Sequence, residues 1–197
     1  LETVVNLVTI KSCKKWLKTL NKYFIEIGSC DFDTLNHLAD HGWKGIIVEP
    51  IKKYLNNIPR KDGIEYVNVA IDEVDGKRTI QTWKDKWINK DPDYKGMSSF
   101  NTLPQNQICV DDIEVDTLTV SSLLKKYPLP RIDFLKIDTE GHDFIVLKQF
   151  LQLNLRPKLI KVEWINFNKP DIFKNLFKDQ NYQVYYEKND LYAIDLL

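Results

Sequence analysis

Between Lys136 and Asp143 the chain reads KIDTEGHD, which sets Asp138, Glu140, His142 and Asp143 close together directly after an apolar run. Carboxylates and an imidazole are the groups that draw a proton from a hydroxyl and so make it a better nucleophile. Asp138, Glu140 and His142 are therefore the candidate catalytic residues. The structural alternative is that Asp138 and Thr139 cap the following helix and His142 packs on its surface. Asp138, Glu140 and Asp143 also carry the oxygen ligands that Mg²⁺ prefers. Acids at a helix start equally complement the helix dipole, so no metal site is expected.

The second such segment is FIEIGSCDFDT, Phe24 to Thr34. A dinucleotide-binding turn would read GxGxxG there, and this sequence has Glu26, Gly28 and Asp31 at the three glycine places. A pyrophosphate cradle is absent, which argues against a nucleotide-dependent oxidoreductase. An acid beside a single glycine turn suits a ligand with a positive ammonium group. Glu49, in GIIVEP, follows 21 residues after Gly28, where folds of this kind place the carboxylate that grips ribose hydroxyls. As structural residues, Glu26 would be a paired strand acid and Glu49 a helix-capping one. Glu163 ends a further apolar run and could hold a substrate hydroxyl or pair with a base. Trp164 beside it could stack on a sugar or pack in the core.

These residues need strands to carry them and turns to expose them. The spacing predicts strands over Tyr23–Ile27, Gly45–Val48, Ile64–Ile71, Ile132–Ile137 and Leu159–Val162. It predicts helices over Lys11–Leu20, Asp33–Ala39 with Asp31 or Asp33 as N-cap, Ile51–Leu55, Val115–Lys126, Asp143–Leu151 and Ile172–Phe177. His41-Gly42 should stop the second of these. Asp72 to Asp112 reads as a long loop with an edge strand at Thr79–Trp83, and Tyr182–Tyr186 with Leu191–Leu196 as a hairpin closed by an Asn-Asp turn. Strands alternating with helices indicate a parallel, doubly wound α/β sheet, whose ligands sit beyond the carboxyl ends of the strands. The candidate acids lie at those ends.

The chain of 197 residues shows no repeat or linker and is expected to form a single domain, 1–197. Lys+Arg and Asp+Glu are equal at 28 each, which argues against a nucleic-acid partner held by bulk charge. No apolar run approaches the length of a membrane span. Three cysteines, without CxxC or zinc-type spacing, point to a reducing compartment. With no leader pattern, a cytoplasmic location is expected. The first residue is Leu1 rather than Met, so the expectation is a domain cut from a longer multidomain chain, with fusion to a glycosyltransferase as one such arrangement.

GIIVEP after the ExG turn, VDTLTVSSLL, FLKIDTEGHDFIVLKQF and KLIKVEW together resemble the FkbM-type S-adenosylmethionine-dependent methyltransferases, from about Tyr23 to Trp164. The resemblance implies a Rossmann-like class I methyltransferase fold: a seven-stranded, mostly parallel sheet with a reversed last strand and helices on both faces. It implies S-adenosyl-L-methionine as cofactor, S-adenosyl-L-homocysteine as product, and O-methylation of a sugar or natural-product hydroxyl. Glu26, Gly28, Ser29 and Cys30 would hold the amino-acid end of the cofactor, Glu49 its ribose, and Ala70 and Ile71 its adenine. Asp31, Pro50 and Asp138 complete that set. GMSSFNT, Gly96 to Thr102, resembles a family segment near cofactor or substrate and adds Ser98. Phe32 stands where the family often has a second glycine. The expected acceptor is a carbohydrate hydroxyl, for which the aromatic-rich loop from Trp83 to Phe100 would be suited; the same loop could instead be a lid packed on the core. A macrolide-type acceptor, or a noncatalytic cofactor-binding domain, is the alternative.

Overall fold

A computed structural model describes residues 22–101, 103, 108–153, 155–164 and 170–197. The helix expected over Lys11–Leu20 lies outside the described residues. In chain order the strands are β1 (Tyr23–Ile27), β2 (Lys44–Val48), β3 (Ile64–Val67), β4 (Ala70–Ile71), β5 (Gly76–Trp83), β6 (Val110–Leu118), β7 (Phe134–Ile137), β8 (Leu159–Glu163), β9 (Tyr182–Glu187) and β10 (Asp190–Asp195). The helices are α1 (Lys52–Asn57), α2 (Asp85–Ile88), α3 (Val120–Lys126), α4 (Asp143–Leu151) and α5 (Pro170–Leu176), with a 3₁₀ helix over Leu35–His41.

Seven strands form the main sheet in the order β3-β2-β1-β7-β8-β10-β9. The first five of these are parallel, and β10, the last strand of the chain, runs antiparallel between β8 and β9. This is the expected architecture, a Rossmann-like class I methyltransferase sheet. The central strands are covered on both faces, which is why they read as nearly unbroken apolar runs. On one face Ile25, Ile27, Leu135 and Ile137 pack on Val120 and Leu123 of α3, Val146, Leu147 and Phe150 of α4, and Phe173 of α5. On the other face Phe24, Ile47 and Phe134 pack on Leu35, Leu38, Leu55 and Ile58.

Two charges interrupt this core, and the parallel register explains how they are tolerated. Glu26 of β1 lies directly opposite Lys136 of β7, and Lys136 Nζ donates to Glu26 Oε1 at 3.0 Å. Thr34 Oγ1 at 2.5 Å and the Leu35 amide at 2.8 Å donate to the other oxygen. A buried charge is stable only with partners of this kind. Asp133, just before β7, is likewise tied down by the Tyr23 amide at 2.9 Å and Arg131 Nε at 2.8 Å.

Several local expectations are corrected. Ile64–Ile71 is two strands: after Val67 the chain leaves the main sheet, and β4 joins β6 and β5 in a second, three-stranded sheet. At the break the Asn68 side chain donates to the carbonyls of Glu49 and Pro50, at 2.9 and 2.8 Å. Val115–Lys126 is not one helix. Its first residues close β6, which is paired along its length with β5, and α3 starts only after Thr119, whose Oγ1 accepts from the Ser122 amide. The expected long loop therefore contains most of a sheet, with Thr79–Trp83 at its edge as expected.

Thr34, rather than Asp31 or Asp33, caps the 3₁₀ helix, which ends at Gly42 with φ 79°. The terminal hairpin is present, but its turn is Lys188-Asn189, because Asp190 already pairs with Glu187. No helix among the described residues is long and apolar enough to cross a membrane.

Candidate cofactor-binding and active site

A cleft opens over the carboxyl ends of β1, β2, β7 and β8. Gly28, Ser29, Cys30, Glu49, Pro50, Ala70, Ile71, Ser98, Asp138, Glu140 and His142 all line it, so residues far apart in sequence are brought into one wall. Glu26 and Asp31 do not line it. The Glu26 carboxylate is occupied by Lys136, Thr34 and Leu35, and it reaches the cleft only through Lys136, which is part of the wall. Asp31 turns to Lys95 Nζ at 2.6 Å and Asn57 Nδ2 at 2.7 Å. The sequence signal for Lys136 was the unpaired acid opposite it, which required a cation somewhere in the core.

The turns after β1 and β7 approach each other closely. Gly28 has φ 78°, and a Cβ on it would lie 1.8 Å from the carbonyl oxygen of Asp138. Cys30, Asp33 and Glu140 also have positive φ, at 45°, 49° and 52°. Such conformations cost non-glycine residues on the order of 1–2 kcal/mol each. Two buried carboxylates hold these turns in place. Glu49 accepts the amides of Cys30 at 2.8 Å and Ile51 at 2.7 Å. Asp143 accepts those of Thr139 at 2.8 Å and Gly141 at 3.0 Å. Burial raises the Glu49 carboxyl to about 7 and the Asp143 carboxyl to about 6. Asp143 is thus an anchor of the turn, not a third oxygen ligand beside Asp138 and Glu140.

The three candidate catalytic residues divide. Asp138 and Glu140 meet Glu163 of β8, with one carboxylate oxygen of each within 4.8 Å of the others. Among the described residues this is the group that could hold a metal ion. Burial, reinforced by the charges of Glu140, Asp138, Asp143 and Asp190, raises Glu163 to about 8; burial raises Asp138 as well. His142 instead turns to Asp72, with Nε2 at 2.9 Å from Oδ1, and meets the Phe100 ring edge-on at 5.1 Å. Ser99 Oγ donates to the Glu140 carbonyl at 2.6 Å, which fixes the segment after Gly96 to the β7–α4 turn.

Most of the aromatic loop does not face the cleft. Trp83 is buried and stacks on Tyr94 at 4.0 Å, in a cluster with Leu103 and Val110 that also packs Trp87. Phe100 alone of these rings reaches the cleft. It joins Cys30 beside an apolar group of Ile51, Tyr54, Ala70, Ile80 and Val115. Tyr54 and Ile80, part of the wall, were not singled out in the sequence, because their apolar character is equally that of a core residue.

A profile of the methyltransferase FkbM domain matches residues 26–184. Comparison with curated protein sequences finds no significant match. Among solved structures, the METTL16 methyltransferase domain superposes with a TM-score of 0.50 at 14% identity, covering 93% of this chain and 66% of that one. Magnesium protoporphyrin IX methyltransferase from Synechocystis PCC 6803, solved with its methyl donor bound, gives 0.47 at 9% identity, covering 98% and 80%. The human methyltransferase 10 domain containing protein gives 0.47 at 14%, covering 91% and 73%. At such identities the likeness is one of fold, whereas the domain profile spans both turns of the cleft and the chain from β2 to β8. The chain belongs to the FkbM methyltransferase family, whose methyl donor is S-adenosylmethionine.

Proposed function

We propose that this methyltransferase acts on oxygen, transferring its methyl group to a hydroxyl of a neutral sugar or glycan. The observation that supports this most directly is the meeting of Asp138, Glu140 and Glu163 at one end of the cleft. Carboxylates accept hydrogen bonds from hydroxyls and, when their affinity for protons is raised, take those protons more readily at neutral pH. When bound, S-adenosylmethionine supplies an electrophilic methyl group on a sulfonium. The chain's own residues fit that cofactor. Tyr54, Ala70, Ile80 and Phe100 offer an apolar seat for a flat base, and Glu49 borders the cleft where a ribose would follow. Gly28, Ser29 and Cys30 would border its amino-acid end. At the acceptor end Glu140 draws the hydroxyl proton while Asp138 and Glu163 hold the acceptor in line.

Calorimetry with S-adenosylhomocysteine tests the cofactor assignment. Wild type binds at micromolar concentration or tighter, and Glu49→Ala binds on the order of a hundredfold more weakly, because it loses both a charged acceptor and the anchor of the Cys30 turn. Equal affinity in the variant would remove Glu49 from the site. Incubation with methyl-labelled cofactor and a panel of mono- and oligosaccharides, read by mass spectrometry, tests the acceptor. Label on polyketide or protein acceptors alone would refute the sugar, and label on none would favour a noncatalytic binding domain. Turnover should survive EDTA; a loss restored by Mg²⁺ would reassign the three carboxylates to a cation.

A further inference from the structure

We propose that Asp72 and His142 read the base of the cofactor: Asp72 holds the His142 imidazole with its Nε2–H toward itself, so that Nδ1 offers a lone pair to the exocyclic amine of adenine. The inference rests on the assignment of the cleft to S-adenosylmethionine. It begins from the pair itself, since Asp72 had no assigned role and His142 stands apart from the three carboxylates. Asp72 Oδ1 lies 2.9 Å from His142 Nε2 and accepts the Glu73 amide at 2.8 Å, while Oδ2 accepts from Arg78 Nη1 at 2.8 Å.

Burial raises the Asp72 carboxyl, but Arg78, the Glu73 amide and His142 outweigh it and hold the group below the usual carboxylate range. Asp72 is therefore an acceptor only, and the ring hydrogen must sit on Nε2. Burial keeps the imidazole neutral and Arg78 adds to that, against the opposing charges of Asp72 and Glu73. Phe100 packs edge-on against the ring, and the Arg78 guanidinium lies 4.1 Å above the Phe100 ring, so Arg78 braces the ring that packs on the imidazole. His142 lines the cleft beside Ala70, Ile71 and Phe100, the apolar end suited to a flat base. With Nε2 committed to Asp72, Nδ1 is the ring nitrogen available to a ligand.

A bare Nδ1 matches the amine hydrogen of adenine and opposes the carbonyl oxygen of hypoxanthine. The ring escapes that mismatch only by moving its hydrogen to Nδ1, which Asp72 forbids because it has no hydrogen to offer in return. Asparagine at position 72 can turn its amide to donate to Nε2, and the hydrogen is then free to move. The imidazole also stops accepting when it takes a proton, so the preference for adenine fades as pH falls below the ordinary histidine range.

Calorimetry on the whole chain compares S-adenosylhomocysteine with S-inosylhomocysteine. Wild type prefers the adenine compound by about tenfold to a hundredfold. Asp72→Asn brings the two within about threefold, and His142→Phe removes the preference. An Asp72→Asn protein that binds with the wild-type ratio overturns the proposal, as does a wild type indifferent to the base. If wild type binds neither compound, it is the cofactor assignment that has failed. Should the variants not fold, ¹⁵N NMR of wild-type His142 reads the tautomer directly: a bare Nδ1 supports the proposal, and a protonated Nδ1 in the neutral ring overturns it.

Discussion

Turnover of the Glu140→Gln protein falls on the order of a hundredfold or more, at nearly unchanged affinity for S-adenosylhomocysteine. Glutamine keeps the size of the side chain and the turn that Ser99 braces, and it removes the group that takes the proton. A loss in kcat with constant cofactor binding is the signature of a group needed at the reacting oxygen. Asp138→Asn should lose a similar factor, because its carboxylate meets that of Glu140 in the same β7–α4 turn.

The pH–rate profile gives an independent reading. Glu163 holds the acceptor hydroxyl best when ionised, and burial raises its carboxyl to about 8. The rate should therefore rise with pH through that region, and Glu163→Gln should remove the limb. Full turnover in Glu140→Gln, Asp138→Asn and Glu163→Gln together would dismiss this end of the cleft as the catalytic one.

Lys136→Met destabilises the fold by about 3–5 kcal/mol, the usual cost of stranding one charge of a buried pair. Glu26 is fully buried, so water cannot replace the lost cation, and its carboxyl, already raised by burial, must take a proton instead. The sign of the pH dependence follows. A raised carboxyl in the folded state favours folding while protonated, so the variant is least impaired at acid pH and loses stability as pH rises through the folded value. Replacing both partners, as in Glu26→Leu with Lys136→Met, should recover much of the loss. Urea unfolding at pH 5 and pH 8 measures both effects; a single variant within about 1 kcal/mol of wild type at pH 8 would show that the pair is not buried in solution.

Much of the architecture was legible in the chain because it depends on local periodicity. β1 and α4 begin and end where the pattern placed them, at Tyr23–Ile27 and Asp143–Leu151. The strand ends that carry Gly28, Glu49 and Asp138 followed from the same pattern. Legibility failed where a segment's partner is distant. Val115 to Leu118 can be wound as a helix start or laid out as a strand, and pairing with β5, some forty residues earlier, decides for the strand. Ile64–Ile71 alternates as one strand, yet it serves two sheets because the Asn68 amide caps the carbonyls of the neighbouring turn.

The same division holds at the site. Residue types and their position after strands named Glu49, Asp138, Glu140 and Glu163, which line the cleft, together with Glu26 and Asp31, which do not. Which acid does what depended on directions that no spacing contains. Glu26 met Lys136 through the β1–β7 register, Glu163 joined Asp138 and Glu140 because β8 lies beside β7, and His142 left that group for Asp72 because the second sheet brings Asp72 to it. Sequence sets chemical type and local periodicity, both short-range properties. The environment that turns a carboxylate into a base, an anchor or a silent partner arises only when strands distant in the chain are packed together and water is excluded between them.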